Sequence, residues 1–302
     1  MWHEKILKIF CRRSLDASNQ KRKGIFLNNK LGCSILILMK TLTATDLLSF
    51  VSLIKAEEES VQYERDHFFM LFRGQPANEP LLPKIARDLK WIKEFQIPQR
   101  LKLRKLEEYM LQEFKRRGHP YLSNKPESNW DWLIHAQHHG MATRLLDWTE
   151  NPLVALYFAV RDHNCKDRFE AVVWLMKIRN DEIIVPLKKL DPFNQKGTRV
   201  FRPSFVSRRL EAQNGWFSIH QYLDGKDHFV PLEKNSRFKS KLIKLLIPLR
   251  HASGILEDLD LCGINSATLF PDLDGVSDYI NWKKGAVQCA KIRMPQEKIN
   301  DL

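Results

Sequence analysis

The side chains best able to do chemistry cluster in residues 135–160, His-Ala-Gln-His-His-Gly-Met-Ala-Thr-Arg-Leu-Leu-Asp-Trp-Thr-Glu-Asn-Pro-Leu-Val-Ala-Leu-Tyr-Phe-Ala-Val. The first half holds His135, Gln137, His138, His139, Gly140, Thr143, Arg144 and Asp147, whereas the second, with Leu153, Val154, Leu156, Tyr157 and Phe158, is almost wholly apolar. A polar crest on a buried scaffold reads as a site. A guanidinium grips phosphate bidentately, and imidazole can take or give a proton near neutral pH. Three imidazoles without a carboxylate at zincin spacing, and with no cysteine nearby, make a weak ligand set, so no metal is expected.

Two segments outside this block could complete a pocket. The apolar run His67 to Phe72 ends in Arg73-Gly74-Gln75, which places Arg73 at the end of a strand, either as a ligand clamp or as partner to a buried acid. Asp147, between Leu146 and Trp148, is such an acid: its desolvation calls for a partner, and Arg73 or Arg144 is the natural one. Arg209, Gln213 and Gly215 could line the opposite wall, Gly215 permitting close backbone approach. Alternatively Arg209 is a surface charge and Gly215 a turn residue. Asp272 and Asp274, between Pro271 and Gly275, read as part of an architectural turn.

The elements that must position these groups are mixed. Thr45-Asp46 forms an N-cap for a helix through Leu47, Phe50, Val51 and Ile54. Trp91 to Arg117 reads as one or two basic helices broken near Pro98, and Trp130 to His139 as a helix ended by Gly140. On that helix Gln137 is set off from the His135 and His138–His139 face. Asp147-Trp148-Thr149 is expected on a loop, followed by a helix with Pro152 in its first turn. Ala171–Ile178, Glu182–Val185 and Gly215–Ile219 read as strands, and helices are expected around Leu242–Leu249, Ser253–Cys262 and Val276–Trp282. With no βαβ rhythm, the fold class is α+β: one domain with mixed or antiparallel strands and flanking helices.

The chain has 302 residues, 43% of them hydrophobic, enough for one substantial core. Residues 1–38 are basic and lack a clean period, and Met39 would make an ordinary start, so they are read as a disordered or non-native extension. The domain is placed at 39–302, with its motifs within about 66–220 and a helical part from 221. The net charge of +13 allows anionic partners without choosing among them. The five cysteines are scattered and fit a reducing, cytoplasmic setting. No apolar run approaches the roughly 20 residues of a membrane span.

Taken in order, Phe72-Arg73-Gly74-Gln75, the His135–Val160 block, Arg209–Phe217 and Leu269–Gly275 resemble the FRG-domain family over about residues 45–285. The order of motifs also resembles that of ADP-ribosyltransferases, which carry an Arg closing the first strand, a Ser/Thr segment before a helix, and a late acidic residue. The resemblance maps these onto Arg73, Thr149, and Glu211 or Gln213, with His138 as a further catalytic candidate. It implies NAD as cofactor, a nucleic acid or protein acceptor, and toxin or phage-defence biology. A neutral Gln213 in the late slot would favour binding without turnover. A noncatalytic nucleotide- or nucleic-acid-binding module is therefore the alternative, and a metal-dependent nuclease using the histidines with Asp147 or Asp272 is a third reading.

Overall fold

The ten residues Glu170–Arg179 are buried without interruption from Ala171 to Met176, so this strand needs neighbours on both edges and cover on both faces. The computed structural model supplies them, describing residues 39–60, 68–87, 103–122, 126–163, 168–186, 191–203, 207–223 and 229–285. Residues 1–38 and 88–102, which include the expected extension and the expected break near Pro98, lie outside the described residues. The described strands are β1 (Lys40–Thr43), β2 (Phe68–Gln75), β3 (Leu145–Thr149), β4 (Glu170–Arg179), β5 (Ile183–Ile184), β6 (Arg199–Phe201), β7 (Gly215–Ile219) and β8 (Leu242–Pro248). They form one mixed sheet in the order β1-β8-β4-β2-β3-β7-β6-β5.

The described helices are α1 (Leu47–Glu59), α2 (Lys84–Arg87), α3 (Leu103–Gly118), α4 (Asn129–His138), α5 (Pro152–Val160), α6 (Arg208–Ala212), α7 (Ala252–Leu261), α8 (Ser266–Leu269) and α9 (Leu273–Lys283). This is the α+β domain expected from the pattern. Helices α1, α5 and α7 cover Phe72, Val173, Leu175, Leu245 and Ile247 on one face of the sheet. On the other, Leu71, Trp148, Val172, Trp174 and Trp216 pack with Leu81, Leu232 and Phe238. A third cluster joins Leu111 of α3 and Trp130 and Leu133 of α4 to Leu145, Phe201 and Phe217.

Local chemistry explains several boundaries. Asp46 caps α1 in a capping box with Ser49. The Asn151 carboxamide accepts from the Leu153 and Val154 amides at 2.9 and 3.4 Å to start α5, with Pro152 next. Helix α5 is apolar almost all round, and six of its nine residues are buried, which is the signature of a helix sunk into a core.

Three expectations are corrected. Residues 242–248 are strand β8, running between β1 and β4, rather than a helix. The sequence Leu-Ile-Lys-Leu-Leu-Ile-Pro fits both periods, but Ile243, Leu245 and Ile247 share one buried face, and Pro248 would damage a helix. The part beyond residue 221 therefore contributes a central strand as well as helices. Asp147-Trp148-Thr149 is the end of β3 rather than a loop, and β2 continues two residues beyond Arg73.

The sheet has one weak seam. The β2–β4 register runs from Phe68↔Arg179 to Gln75↔Val172, and β3–β7 from Leu145↔Ile219 to Thr149↔Gly215. By contrast, β2 and β3 share the single pair Phe72↔Thr149. Beside that pair, an added Cβ on Gly74 would lie 1.9 Å from the Ala155 carbonyl oxygen and 2.6 Å from the Ala159 amide. Helix α5 thus rests directly on the β2 backbone, and only glycine permits it.

Candidate functional site

A cavity of about 500 Å³ opens beside this seam. The last turn of α4 brings His135, Gln137 and His138 to it, joined by His139 directly after the helix, while β2 brings Arg73, and β3 brings Asp147 and Thr149. Phe158 and Arg161 enter from the α5 side, and Arg209 and Gln213 from α6 and the turn after it. Helix α4 is fixed at both ends. Ser128 and Asp131 form its capping box, and Gly140, at φ +87°, reverses the chain after His139. The Gly140 carbonyl accepts from Lys84 Nζ at 2.7 Å, and Gly140 lies outside the lining.

Asp147 differs from its expected setting. Leu146 and Trp148 are buried in the second core cluster, and strand alternation turns Asp147 the other way, with its side chain 59% exposed. It is still held from two sides. Gln137 Nε2 donates to Asp147 Oδ2 at 3.1 Å, while Thr143 Oγ1 donates to Gln137 Oε1, so the buried threonine orients the amide that orients the carboxylate. Gln137 was expected off the histidine face. It nonetheless lines the same cavity as the histidines.

Arg73 is largely buried, with 13% of its side chain exposed, and spans the seam. Its Nη1 donates to the Asp147 backbone carbonyl at 2.8 Å and lies 3.6 Å from Oδ2, while its buried Nε has no hydrogen-bond partner. Burial lowers its pKa to about 10, which leaves it charged at neutral pH. Of the two arginines that sequence offers to Asp147, Arg73 is the partner. Arg144 turns instead to Glu107 of α3. The Arg144 amide and Nε donate to the two Glu107 oxygens at 2.7 and 2.6 Å, and both side chains are 1% exposed. Burial pushes the Glu107 carboxyl up, against the pull of Arg144. Arg144 and Thr143 therefore lie behind the lining and brace the start of β3.

The Thr149 hydroxyl is already engaged. It donates to the Gln213 carbonyl at 2.7 Å and accepts from the Asn151 amide at 3.0 Å, tying the α5 N-terminus to the turn between α6 and β7. Gln213 lines the cavity, and its Nε2 donates to the Leu269 carbonyl at 3.0 Å. Glu211 is exposed on α6, outside the lining. Gly215 is also outside it, and an added Cβ there would meet Leu210 Cδ1 at 2.4 Å, so this glycine serves packing.

His138 is pushed down to about 4, mainly by burial and then by Arg209, and its Nε2 has no hydrogen-bond partner. His135 is lowered for the same first reason. His138 is thus a neutral imidazole at pH 7, and His139 at the helix end is exposed. Among the described residues, no group of three or more His, Cys, Asp or Glu could hold a metal ion. Nor is any described helix long and apolar enough to cross a membrane.

Several contributors escaped the sequence reading. Glu107 sits four residues from both Leu103 and Leu111, the other buried residues of α3, and a lone acid on that apolar face was a readable sign of a buried partner. Arg161 and Phe270, the latter beside Arg209, lie 109 positions apart in the sequence, and nothing local joins them.

The fold and the cavity define an α+β protein with a cationic, aromatic-lined pocket at a sheet seam. The FRG domain model matches residues 69–168, so this part of the chain is similar to an FRG domain. That stretch runs from β2 through α5 and carries Arg73, Gly74, the histidine block and Asp147. No curated protein and no solved structure matches the chain.

Proposed function

We propose that the cavity binds a phosphorylated nucleotide, with NAD the dinucleotide to which the motif order points. The observation that carries this reading is the placement of three guanidiniums, Arg73, Arg161 and Arg209, around one cavity with two carboxylates, Asp147 and Asp162. Charge-assisted contacts to phosphate are the strong kind of hydrogen bond, and a partly enclosed wall strengthens them. Phe158 and Phe217 give a base or nicotinamide ring an apolar surface. The volume of about 500 Å³ falls within the ~300–1,000 Å³ of small-molecule pockets.

A second reading, ADP-ribosyl transfer, is favoured by one further observation. With Glu211 outside the lining and Gln213 neutral, Asp147 is a carboxylate in the cavity with an oriented oxygen. Loss of nicotinamide from NAD leaves an oxocarbenium-like ribose, and a fixed carboxylate stabilises that charge. In this reading Asp147 takes the late acidic role, a neutral His138 is available as a base toward the acceptor, and Thr149 holds the scaffold. The acceptor would be nucleic acid or protein, in a cytoplasmic toxin or phage-defence setting.

The test incubates purified full-length protein with nicotinamide-labelled NAD, with and without nucleic acid or lysate, and follows both NAD binding and nicotinamide release. Binding is expected in the wild type, and release, where seen, is expected to disappear in Asp147→Asn. A folded protein that binds neither NAD, ADP nor ADP-ribose at millimolar concentration overturns the nucleotide reading. Release that survives Asp147→Asn removes the carboxylate from the mechanism.

A further inference from the structure

We infer that the phosphate subsite of this cavity is a two-arginine clamp, Arg161 and Arg209, both held against the ring of Phe270; the inference rests on the nucleotide reading above. The Arg209 and Arg161 Cζ atoms lie 4.5 and 5.0 Å from the Phe270 ring centroid, within the ~6 Å over which an aromatic face attracts a cation. Both arginines line the cavity.

Arg73 is the arginine that the motif would choose, and it is poorly placed to serve. It is mostly buried and donates to the Asp147 carbonyl across the seam, so a phosphate would have to displace a contact that joins the sheet. Arg209 is different: among the described residues its guanidinium has no hydrogen-bond acceptor and no carboxylate within salt-bridge distance. Arg161 has the carboxylate of its chain neighbour Asp162 at 3.6 Å, and its Cζ lies 5.6 Å from the Tyr157 ring centroid. Arg161 opposes the charge of Arg209, and Asp147 and Asp272 offset it only from beyond salt-bridge distance, which leaves a place for an anion between the two guanidiniums. A phosphate or pyrophosphate, with several acceptor oxygens, meets both planar forks at once.

The support under the clamp is rigid. Phe270 packs edge-on against Phe158 at 5.9 Å, and its amide donates to the Ser266 carbonyl at 2.9 Å. An added Cβ on Gly275 would lie 2.0 Å from the Phe270 carbonyl oxygen, so the first turn of α9 is seated directly on it. Phe270, Gly275 and Arg209 lie beyond the matched residues 69–168. The ligand site is therefore completed by a segment that the family match does not reach.

Isothermal titration of the full chain with ADP, adenosine and inorganic pyrophosphate tests the clamp. Arg161→Gln and Arg209→Gln are each expected to weaken ADP and pyrophosphate about tenfold, or ~1.4 kcal/mol, leaving adenosine unchanged. Phe270→Leu keeps both charges and removes their support, so a loss of several-fold is expected. Arg209→Lys should rescue only partly, because an ammonium lacks the fork. Circular dichroism melts matching wild type exclude misfolding as the cause. Wild-type ADP affinity in both glutamine variants, or a loss confined to Arg73→Gln, overturns the clamp while nucleotide binding stands. Pyrophosphate binding that needs both arginines, in a protein that binds no nucleotide, upholds the clamp and defeats the nucleotide reading.

Discussion

Gly74→Ala adds one methyl group where helix α5 lies directly on strand β2. The new Cβ would lie 1.9 Å from the Ala155 carbonyl oxygen and 2.6 Å from the Ala159 amide nitrogen, both in the backbone of α5. Nonbonded heavy atoms rest near 3.5 Å, so helix and strand must part by about 1.5 Å, and no side-chain rotation can relieve the clash. Overpacking a close-packed core costs ~1–3 kcal/mol, occasionally more, and two backbone collisions put this substitution at or above the upper end. A loss of about 3 kcal/mol, at roughly 2–4 °C per kcal/mol for a domain near this size, lowers Tm by about 6–12 °C. Gly254→Ala is the control. Gly254 is exposed within α7 and has nothing within 4 Å of an added Cβ, so the same chemical change should stabilise by ~0.5–1 kcal/mol. Thermal and urea unfolding followed by circular dichroism read both. A Gly74→Ala midpoint within a degree of wild type would show that α5 does not rest on β2 as described.

Glu107→Gln leaves Arg144 charged in a site where both side chains are 1% exposed, and a loss of ~3–5 kcal/mol is expected from urea unfolding; the paired change Glu107→Leu with Arg144→Met should recover much of it, and equal damage in both proteins would refute the pairing. Acid should destabilise the fold earlier than carboxylate protonation requires. His138 is held at about 4 and the buried His220 at about 3, both below the ordinary 6.5, so the unfolded chain takes up protons first as pH falls. Their contribution is complete above about pH 6.5 and is lost progressively toward pH 4. Urea midpoints should therefore fall between pH 7 and 5, less steeply in His138→Gln, and a level midpoint across that window would contradict the burial of these rings.

How much of this was legible in the sequence depended on whether the signal was local. Caps and breaks were: Asp46, Pro152 and Gly140 act on their own few residues, and each stands at the boundary expected of it. Strand β8 was not, because a seven-residue apolar run satisfies both periods and the choice was made by β1 and β4 on either side. The residues of the site divide in the same way. The histidine block, Gln137 and Asp147 lie within one turn and one strand of each other, so their spacing already suggested a shared wall. Arg144 was grouped with them by spacing alone. Its partner Glu107 is 37 residues earlier, and only the packing of α3 against α4 brings the two together.

The weak seam explains why residues so far apart in the chain meet in one place. A sheet closed by full ladders leaves no room between its strands. Here β2 belongs to a well-paired half with β4, β8 and β1, and β3 to another with β7, β6 and β5, and the halves touch at Phe72↔Thr149. Beside that pair the Arg73 guanidinium donates to the Asp147 carbonyl, doing across the gap what a ladder amide does elsewhere. The Thr149 hydroxyl, bonded to the Gln213 carbonyl, holds the second half to the start of α5. With both strands pinned and the space between them unfilled by backbone, helix α4 closes one side of the gap and α5 the other. What remains is a cavity whose walls come from each half, and the motif residues that pin the halves become its floor.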